Sequence, residues 1–306
     1  MGQTTINMFK RSTWLHLRIP FSFFLLPVFL FALAISPNIN VSRIIIVFIS
    51  LHFFLYPASN GFNSYFDKDE KSIGGLKHPP KVTKGLYYTA LFFDFIAIVL
   101  GLMISWEFAI MLFVYGLVSK AYSHPAVRIK KYPWLSWFIA GFFQGTFTFL
   151  MAYMGLNAFD FMVFGQWHVV FPGLLTSMIL WGSYPMTQIY QHEEDVKRGD
   201  ITLSYRLGLR GTFYFTAFSF SIGAAMFFYY FLEYHQEKYA WHFILSMAPV
   251  VLYFGYWYLR VHKDASKADY SHTMRLNTVS ALCLNIFFIW FFLDSSQVLQ
   301  ALKAGY

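Results

Sequence analysis

Two segments of this 306-residue chain carry amides and carboxylates at matched spacing. YPASNGFNSYFD, residues 56–67, holds Asn60, Asn63 and Asp67; YPMTQIYQHEED, residues 184–195, holds Gln188, Gln191 and Asp195. The two align without a gap, and Tyr56, Pro57 and Asp67 recur as Tyr184, Pro185 and Asp195. At about 100° per residue, the three polar positions of each segment fall within about 60° of one another on a helix. Each helix then presents two amides and one carboxylate on a single stripe. Pro57 and Pro185 each free a carbonyl one turn upstream and bend their helices. One such stripe alone could be a helix end meeting water. Two with the same spacing and the same proline point to an internal repeat with a shared chemical task.

Cations crowd these carboxylates. Asp67 is followed by Lys68, Asp69, Glu70, Lys71, Lys77, Lys81 and Lys84, and Asp195 by Lys197, Arg198, Asp200 and Arg206. A third basic stretch, AYSHPAVRIKKYPW, carries Arg128, Lys130 and Lys131. Carboxylates beside concentrated cations suit a polyanion held through a metal. Mg²⁺ prefers a few carboxylates together with phosphate oxygens and retained waters. Lys and Arg would hold the remaining phosphate oxygens. The expected ligand is amphipathic, with a diphosphate at the mouth of an apolar bundle and hydrocarbon within it.

The elements that must position these residues are membrane spans. The chain is 57% hydrophobic and 12% charged, with a mean hydropathy of +0.47, against about 25% charged in soluble domains. Runs of about 20 apolar residues mark spans, and nine are read, near 19–36, 42–62, 86–105, 107–122, 135–155, 167–190, 212–232, 241–259 and 276–294. Short linkers argue for one transmembrane domain over residues 1–306, an all-α bundle with spans two and six equivalent. With the N-terminus inside, all of the 23 basic residues except Arg43, Lys238 and Lys303 fall on cytoplasmic segments, the bias such loops carry. That predicts an N-in, C-out protein of the plasma or inner membrane, with its polar site at the cytoplasmic face. Topology thus accounts for the net charge of +8, and nucleic-acid binding has no support. The 38 Phe residues offer rings around something apolar or cationic. Cys283 is the single cysteine, so the chain forms no internal disulfide.

These residues carry a family resemblance. The chain resembles the UbiA superfamily of intramembrane prenyltransferases, nine-helix proteins that transfer an isoprenoid from its diphosphate to an acceptor. The resemblance covers essentially the whole chain. The family's Asn-x-x-x-Asp-x-x-x-Asp falls on Asn63, Asp67 and Lys71, and its Asp-x-x-x-Asp on Gln191 and Asp195. Gly199, Thr202 and Gly208 match a downstream Gly/Thr/Gly pattern, and Pro125 and Arg128 a Pro-x-x-basic element. Lys77-His78-Pro79-Pro80 stands where the family has Arg-Pro. The resemblance implies catalytic roles for Asn63, Asp67, Gln191 and Asp195, and Mg²⁺ ligation by Asn63, Asp67, Glu194 and Asp195. It implies that Asn60, Lys71, Lys77, Lys81, Tyr122, Arg128 and Lys130 contact substrate, along with Gln188, Tyr190, Lys197, Arg198 and Thr202. Lys71 and Gln191 replace two carboxylates that help hold two Mg²⁺ ions in such enzymes, so at least one metal is weakened. If the helix continues, Lys71 lies on the stripe of Asp67 and sets a fixed charge where a metal would sit. Alternatively, Asp69, Glu70, Glu193 or Glu194 supplies ligands. One retained metal plus lysine is the favoured reading.

The implied chemistry is ionisation of a polyprenyl diphosphate, with metal and basic side chains neutralising the leaving group. The acceptor, aromatic or otherwise lipophilic, then attacks. Aromatic faces would stabilise the allylic cation, with Phe62, Tyr65, Tyr122 and Tyr190 as candidates. Two rivals stay open: a single-substrate terpene cyclase of the same family, and a protein that binds or moves an isoprenoid phosphate without chemistry. His192-Glu193-Glu194 lacks the second histidine of a zinc-protease helix, and Asp94 is expected to make a buried polar contact.

Overall fold

The computed structural model describes residue 8 and residues 10–296; Lys303 lies outside them. The described residues are helical, with one isolated antiparallel bridge between Ile73 and Leu76. Eleven α-helices are labelled here in chain order: α1 Arg11–Leu17, α2 Leu26–Ala34, α3 Val41–Asp67, α4 Lys84–Leu102, α5 Trp106–Ser123 and α6 Pro133–Asn157. They continue as α7 Trp167–Gln188, α8 His192–Lys197, α9 Leu203–Tyr234, α10 Glu237–Lys263 and α11 Tyr270–Ser295.

Seven of these, α3, α4, α6, α7, α9, α10 and α11, are long and apolar enough to cross a membrane. An eighth arises if Arg11–Phe24 and Leu26–Ala34, bent by 43°, count as one span. Seven or eight of the nine expected spans are thus met by length and composition among the described residues. Pro20 and Pro27 break the first segment into a 3₁₀ turn and a short helix. The fourth is the 18-residue α5, which spends Glu107 and Lys120 at its two ends and is not among the seven.

The helices pack as a closed circuit. α3 lies against α4 and α5, α6 against α7, α7 against α9, α9 against α10, α10 against α11, and α11 against α2, which returns to α6. Between membrane helices packing is driven by van der Waals fit rather than by exclusion of water, and here rings supply it. Fully buried Phe31 stacks on Phe288 at 4.8 Å and meets Phe149 and Phe227 at 5.4 and 5.5 Å, tying α2 to α6, α9 and α11. This aromatic knot closes one end of the bundle. The other end, where α3 and α7 finish and α9 begins, stays polar.

α3 and α6 each contain one π-helical turn, Ser50–Leu55 and Phe143–Phe147. The first directly precedes Pro57: the Tyr56 N–H reaches back to the Leu51 carbonyl, and the helix runs on unbroken to Asp67. The expected proline bend is thus absorbed by a widened turn. Such turns are frequent at functional sites, and the second of these lines the chambers described next through Phe143 and Gln144.

Candidate active site

At the polar end α3 stops at Asp67 because Lys68 takes a left-handed conformation, φ 52°, with its N–H on the Ser64 carbonyl. The stripe therefore does not reach Lys71, correcting the expectation that Lys71 sits over Asp67. Lys71 is exposed, and its ammonium pairs with Glu193 at 2.7 Å while its backbone N–H donates to Glu194 Oε1 at 2.9 Å. The second segment also departs from a continuous stripe. α7 ends at Gln188, Ile189–Gln191 form a turn, and Asp195 sits on the separate two-turn α8. Gln191 donates to the Ser72 carbonyl at 3.2 Å. The two positions where the family's carboxylates are replaced thus join one loop to the other across the mouth.

The charge expected of Lys71 is supplied by Lys130. This buried lysine forms an ion pair with Asp67 and lies 3.3 Å from Asp200. Arg128, at φ 47°, grips Asp200 with two hydrogen bonds of 2.8 Å and stands 3.9 Å from Asp67. Arg198 pairs with Asp69 and donates to Asp195 Oδ1 at 2.9 Å. Four carboxylates and three cations form one lattice. Asp195 is held near 6 by burial, an effect that the Arg198 guanidinium only partly offsets. Arg18 donates to the carbonyls of Gly74 and Asn60 at 2.9 and 3.4 Å, fastening the chain before α2 to the same mouth.

The remaining candidates divide. Asn63 Oδ1 accepts from Ser123 at 2.5 Å, and the phenols of Tyr122 and Tyr184 are hydrogen-bonded to each other beneath the lattice. Gln188 is buried, and its Oε1 has no partner. Lys77, Lys81 and Lys197 are exposed at the rim. Thr202 is buried and caps α9, accepting from the Tyr205 N–H at 3.3 Å. Gly199 and Gly208 take φ of +75° and +69°, which explains glycine at both positions. Phe62 lies beneath the Lys120 ammonium, Tyr65 packs on Tyr87, and Tyr190 packs on Tyr270. Of the four expected cation-facing rings, only Tyr122 lines a cavity. Asp94 forms an ion pair with Lys120, between α4 and α5.

Beneath the lattice are two chambers, about 410 Å³ and about 180 Å³. The larger is apolar, walled by residues such as Phe24, Leu180, Phe220, Met247 and Leu284, with Asn277 among its few polar groups. Ser59, Asn60, Tyr115, Gln144 and Tyr184 border both. Gln144 and Asp200 are the functional residues the sequence left unmarked. Gln144 is a lone amide inside a span, where only the rarity of such a residue signals it. Asp200 was visible only as one more acid beside Arg198.

Among the described residues no three acidic, His or Cys side chains gather as a metal site. The donors nevertheless suit one Mg²⁺. The ion pairs and hydrogen bonds of Asp67 and Asp195 fall on Oδ1 in each case. Mg²⁺ needs only one or two carboxylates when phosphate and water complete its shell. With four carboxylates against three cations, the lattice is also net negative and would repel a diphosphate unless a further cation joined it. Lys71 and Gln191 are turned to protein partners and offer a second ion no carboxylate. Glu194 Oε1 is taken by the Lys71 N–H, while its Oε2 is buried without a partner.

Comparison with known proteins follows the same lines. The sequence model of the UbiA prenyltransferase family matches residues 24–292. A comparison with curated protein sequences finds no match. Among solved structures, the chain is similar to a UbiA homologue from Archaeoglobus fulgidus bound to DMAPP and Mg²⁺, with TM-score 0.66, 16% identity, and 92% of this chain and 99% of that one covered. It is similar to the apo structure of a UbiA homologue from Aeropyrum pernix K1, with TM-score 0.68, 15% identity, and 89% and 98% covered. It is also similar to a digeranylgeranylglyceryl phosphate synthase structure, with TM-score 0.56, 19% identity, and 92% and 97% covered.

Proposed function

Because the chain belongs to the UbiA prenyltransferase family and is a multi-pass membrane protein, we propose that it moves a polyprenyl group from its diphosphate to a lipophilic acceptor within the bilayer. The observation that carries this reading is the carboxylate–cation lattice seated over an apolar chamber of about 410 Å³. We further read residues 1–306 as one transmembrane domain of nine crossings in which α3 and α7 are equivalent, N-in and C-out. Its mouth then faces the cytoplasm from the plasma or inner membrane.

Bound with Mg²⁺, as DMAPP is in the Archaeoglobus relative, the diphosphate has its negative charge neutralised where the C1–O bond breaks. Asp67 and Asp195, with Asn63 beside them, are the residues that would hold the ion. Arg128, Lys130 and Arg198 are freed from part of their carboxylate pairing as phosphate oxygens arrive, and then stabilise the leaving group. Tyr122 and Tyr184 lie directly below as donors to it. The prenyl chain extends into the larger chamber, where Tyr56 and Tyr115 flank C1 and each can lower the cost of positive charge by about 0.5–2 kcal/mol. The apolar walls keep water from the cation.

The test is diphosphate release by purified protein in nanodiscs, given polyprenyl diphosphates of several lengths, with and without Mg²⁺. Release that requires Mg²⁺ and is lost in Asp67→Ala and Asp195→Ala is the expected result. Tight binding that survives EDTA with no release at any length would instead make this a lysine-held binding protein. Release with a rearranged hydrocarbon as the product, and no use of acceptors, would make it a cyclase.

A further inference from the structure

We propose that the smaller chamber receives the acceptor, and that the acceptor is an uncharged single ring bearing hydroxyl groups; this deepens the prenyl-transfer reading and rests on it. The chamber lies between α3, α5, α6 and α7 and measures about 180 Å³. An engineered protein cavity of roughly 150 Å³ holds benzene, so this space suits one substituted ring and is too small for a polyprenyl chain. Its aromatic walls, Tyr115, Phe143, Tyr122 and Tyr184, offer faces against which a ring packs.

The polar lining decides the charge. No Lys, Arg, His, Asp or Glu borders the chamber; its polar groups are hydroxyls and amides, including Ser119, Ser123, Asn63 and Gln144. The cations nearby are committed elsewhere: Lys120 to Asp94, and Arg128, Lys130 and Arg198 to the lattice above. A carboxylate or phosphate entering here would lose its hydration and gain no counter-charge. A neutral hydroxyl does gain partners. Ser59 Oγ, on the border between the chambers, is buried without a hydrogen-bond partner.

The shared border, Ser59, Asn60, Tyr115, Gln144 and Tyr184, is then where the substrates meet. The C1–O bond of the prenyl diphosphate breaks with its electron pair leaving on the diphosphate. A π pair of the ring forms the new C–C bond to C1, and the ring carbon's proton passes to the released diphosphate. Gln144 and Asn60 position the ring by its hydroxyls.

The experiment compares hydroquinone with 2,5-dihydroxybenzoate, its carboxylated counterpart, using geranylgeranyl diphosphate and Mg²⁺. The expected result is a kcat/KM at least about tenfold higher for hydroquinone. Ala140→Phe, which intrudes on the smaller chamber, raises the KM for hydroquinone by at least about tenfold and moves that for the prenyl diphosphate far less. Ala217→Phe, in the larger chamber, shifts the preferred prenyl length instead. Ala140→Val, a milder change with an intermediate KM, guards against misfolding. Preference for the carboxylated ring, or a change in prenyl length preference from Ala140→Phe, would overturn the assignment. If no prenyl diphosphate ionises, the underlying reading fails on its own. Thermal shift by hydroquinone, expected in the wild type and absent in Ala140→Phe, then still decides whether the chamber takes a neutral ring.

Discussion

The segments ending in Asp67 and Asp195 begin alike, with Tyr-Pro followed by polar residues at equal spacing, yet they fold differently. In the first, α3 is continuous to its carboxylate. In the second, α7 stops at Gln188 and a new helix begins at His192. The second segment breaks at Ile189–Gln191, opposite Gly61–Asn63 of the first, and the residues after the break diverge further. Ser64, Tyr65 and Phe66 give the first segment one more turn with a packing face, whereas His192, Glu193 and Glu194 occupy the equivalent places in the second. Acidic residues are favoured at a helix N-terminus, where the backbone N–H groups point outward. Three acids, Glu193, Glu194 and Asp195, fall in the first turn of α8. The repeat therefore delivers one carboxylate from a rigid span and the other from a short, separately anchored helix.

That contrast sets the order of expected effects. Asp67→Ala is the most damaging: it removes the partner of buried Lys130 and a neighbour of Arg128, lowering diphosphate release by about 1,000-fold. It should also destabilise the folded protein by about 3 kcal/mol, the low end for breaking a buried pair, because Lys130 keeps Asp200. Thermal unfolding in detergent checks the second part. Asp195→Ala leaves Arg198 with Asp69, so the loss of release is smaller, about 100-fold, with little change in unfolding. Equal effects of the two substitutions would break the comparison.

Protonation sharpens it. Asp195 is raised to about 6 by burial, so it is anionic above that pH and becomes neutral below it. Mg²⁺ binding should accordingly weaken as pH falls through 6, so the Mg²⁺ concentration that half-saturates diphosphate release should rise there, and Asp195→Asn, already neutral, should need high Mg²⁺ at every pH. Arg128→Lys keeps the charge but loses the two-pronged grip on Asp200, and about a tenfold loss of release is expected. Lys71→Ala should have the smallest effect, within about threefold, since its pair with Glu193 is exposed.

Much of this was legible in the sequence. Composition and charge placement announced a helical membrane bundle, and the paired motifs located the mouth, because polar residues at the ends of apolar runs have few other uses. Details that depend on chain direction were not legible. Spacing at 100° per residue presumes an unbroken helix, so it carried Lys71 onto the stripe of Asp67 and Gln191 onto that of Asp195. A left-handed Lys68 and a helix restart at His192 undid both. Lys130 was recognisable as one of several loop cations, but nothing local distinguished it as the one that turns inward. The first of the nine expected spans differs in form for a related reason: apolar length does not reveal that two prolines divide that run.

The π-helical turn at Ser50–Leu55 keeps the residues after it in phase with those before it. A π turn holds one residue more than the α-helix it replaces, and one residue of α-helix corresponds to about 100° of rotation. Deleting one residue between 50 and 55 would therefore regularise α3 and leave the azimuth of Asn60, Asn63 and Asp67 nearly unchanged. Forcing the turn to an ordinary α-helix at full length would instead swing all three by about that angle, away from the partners they now meet. The widened turn thus hides a surplus residue from the active site, in apolar sequence that carries no chemistry of its own.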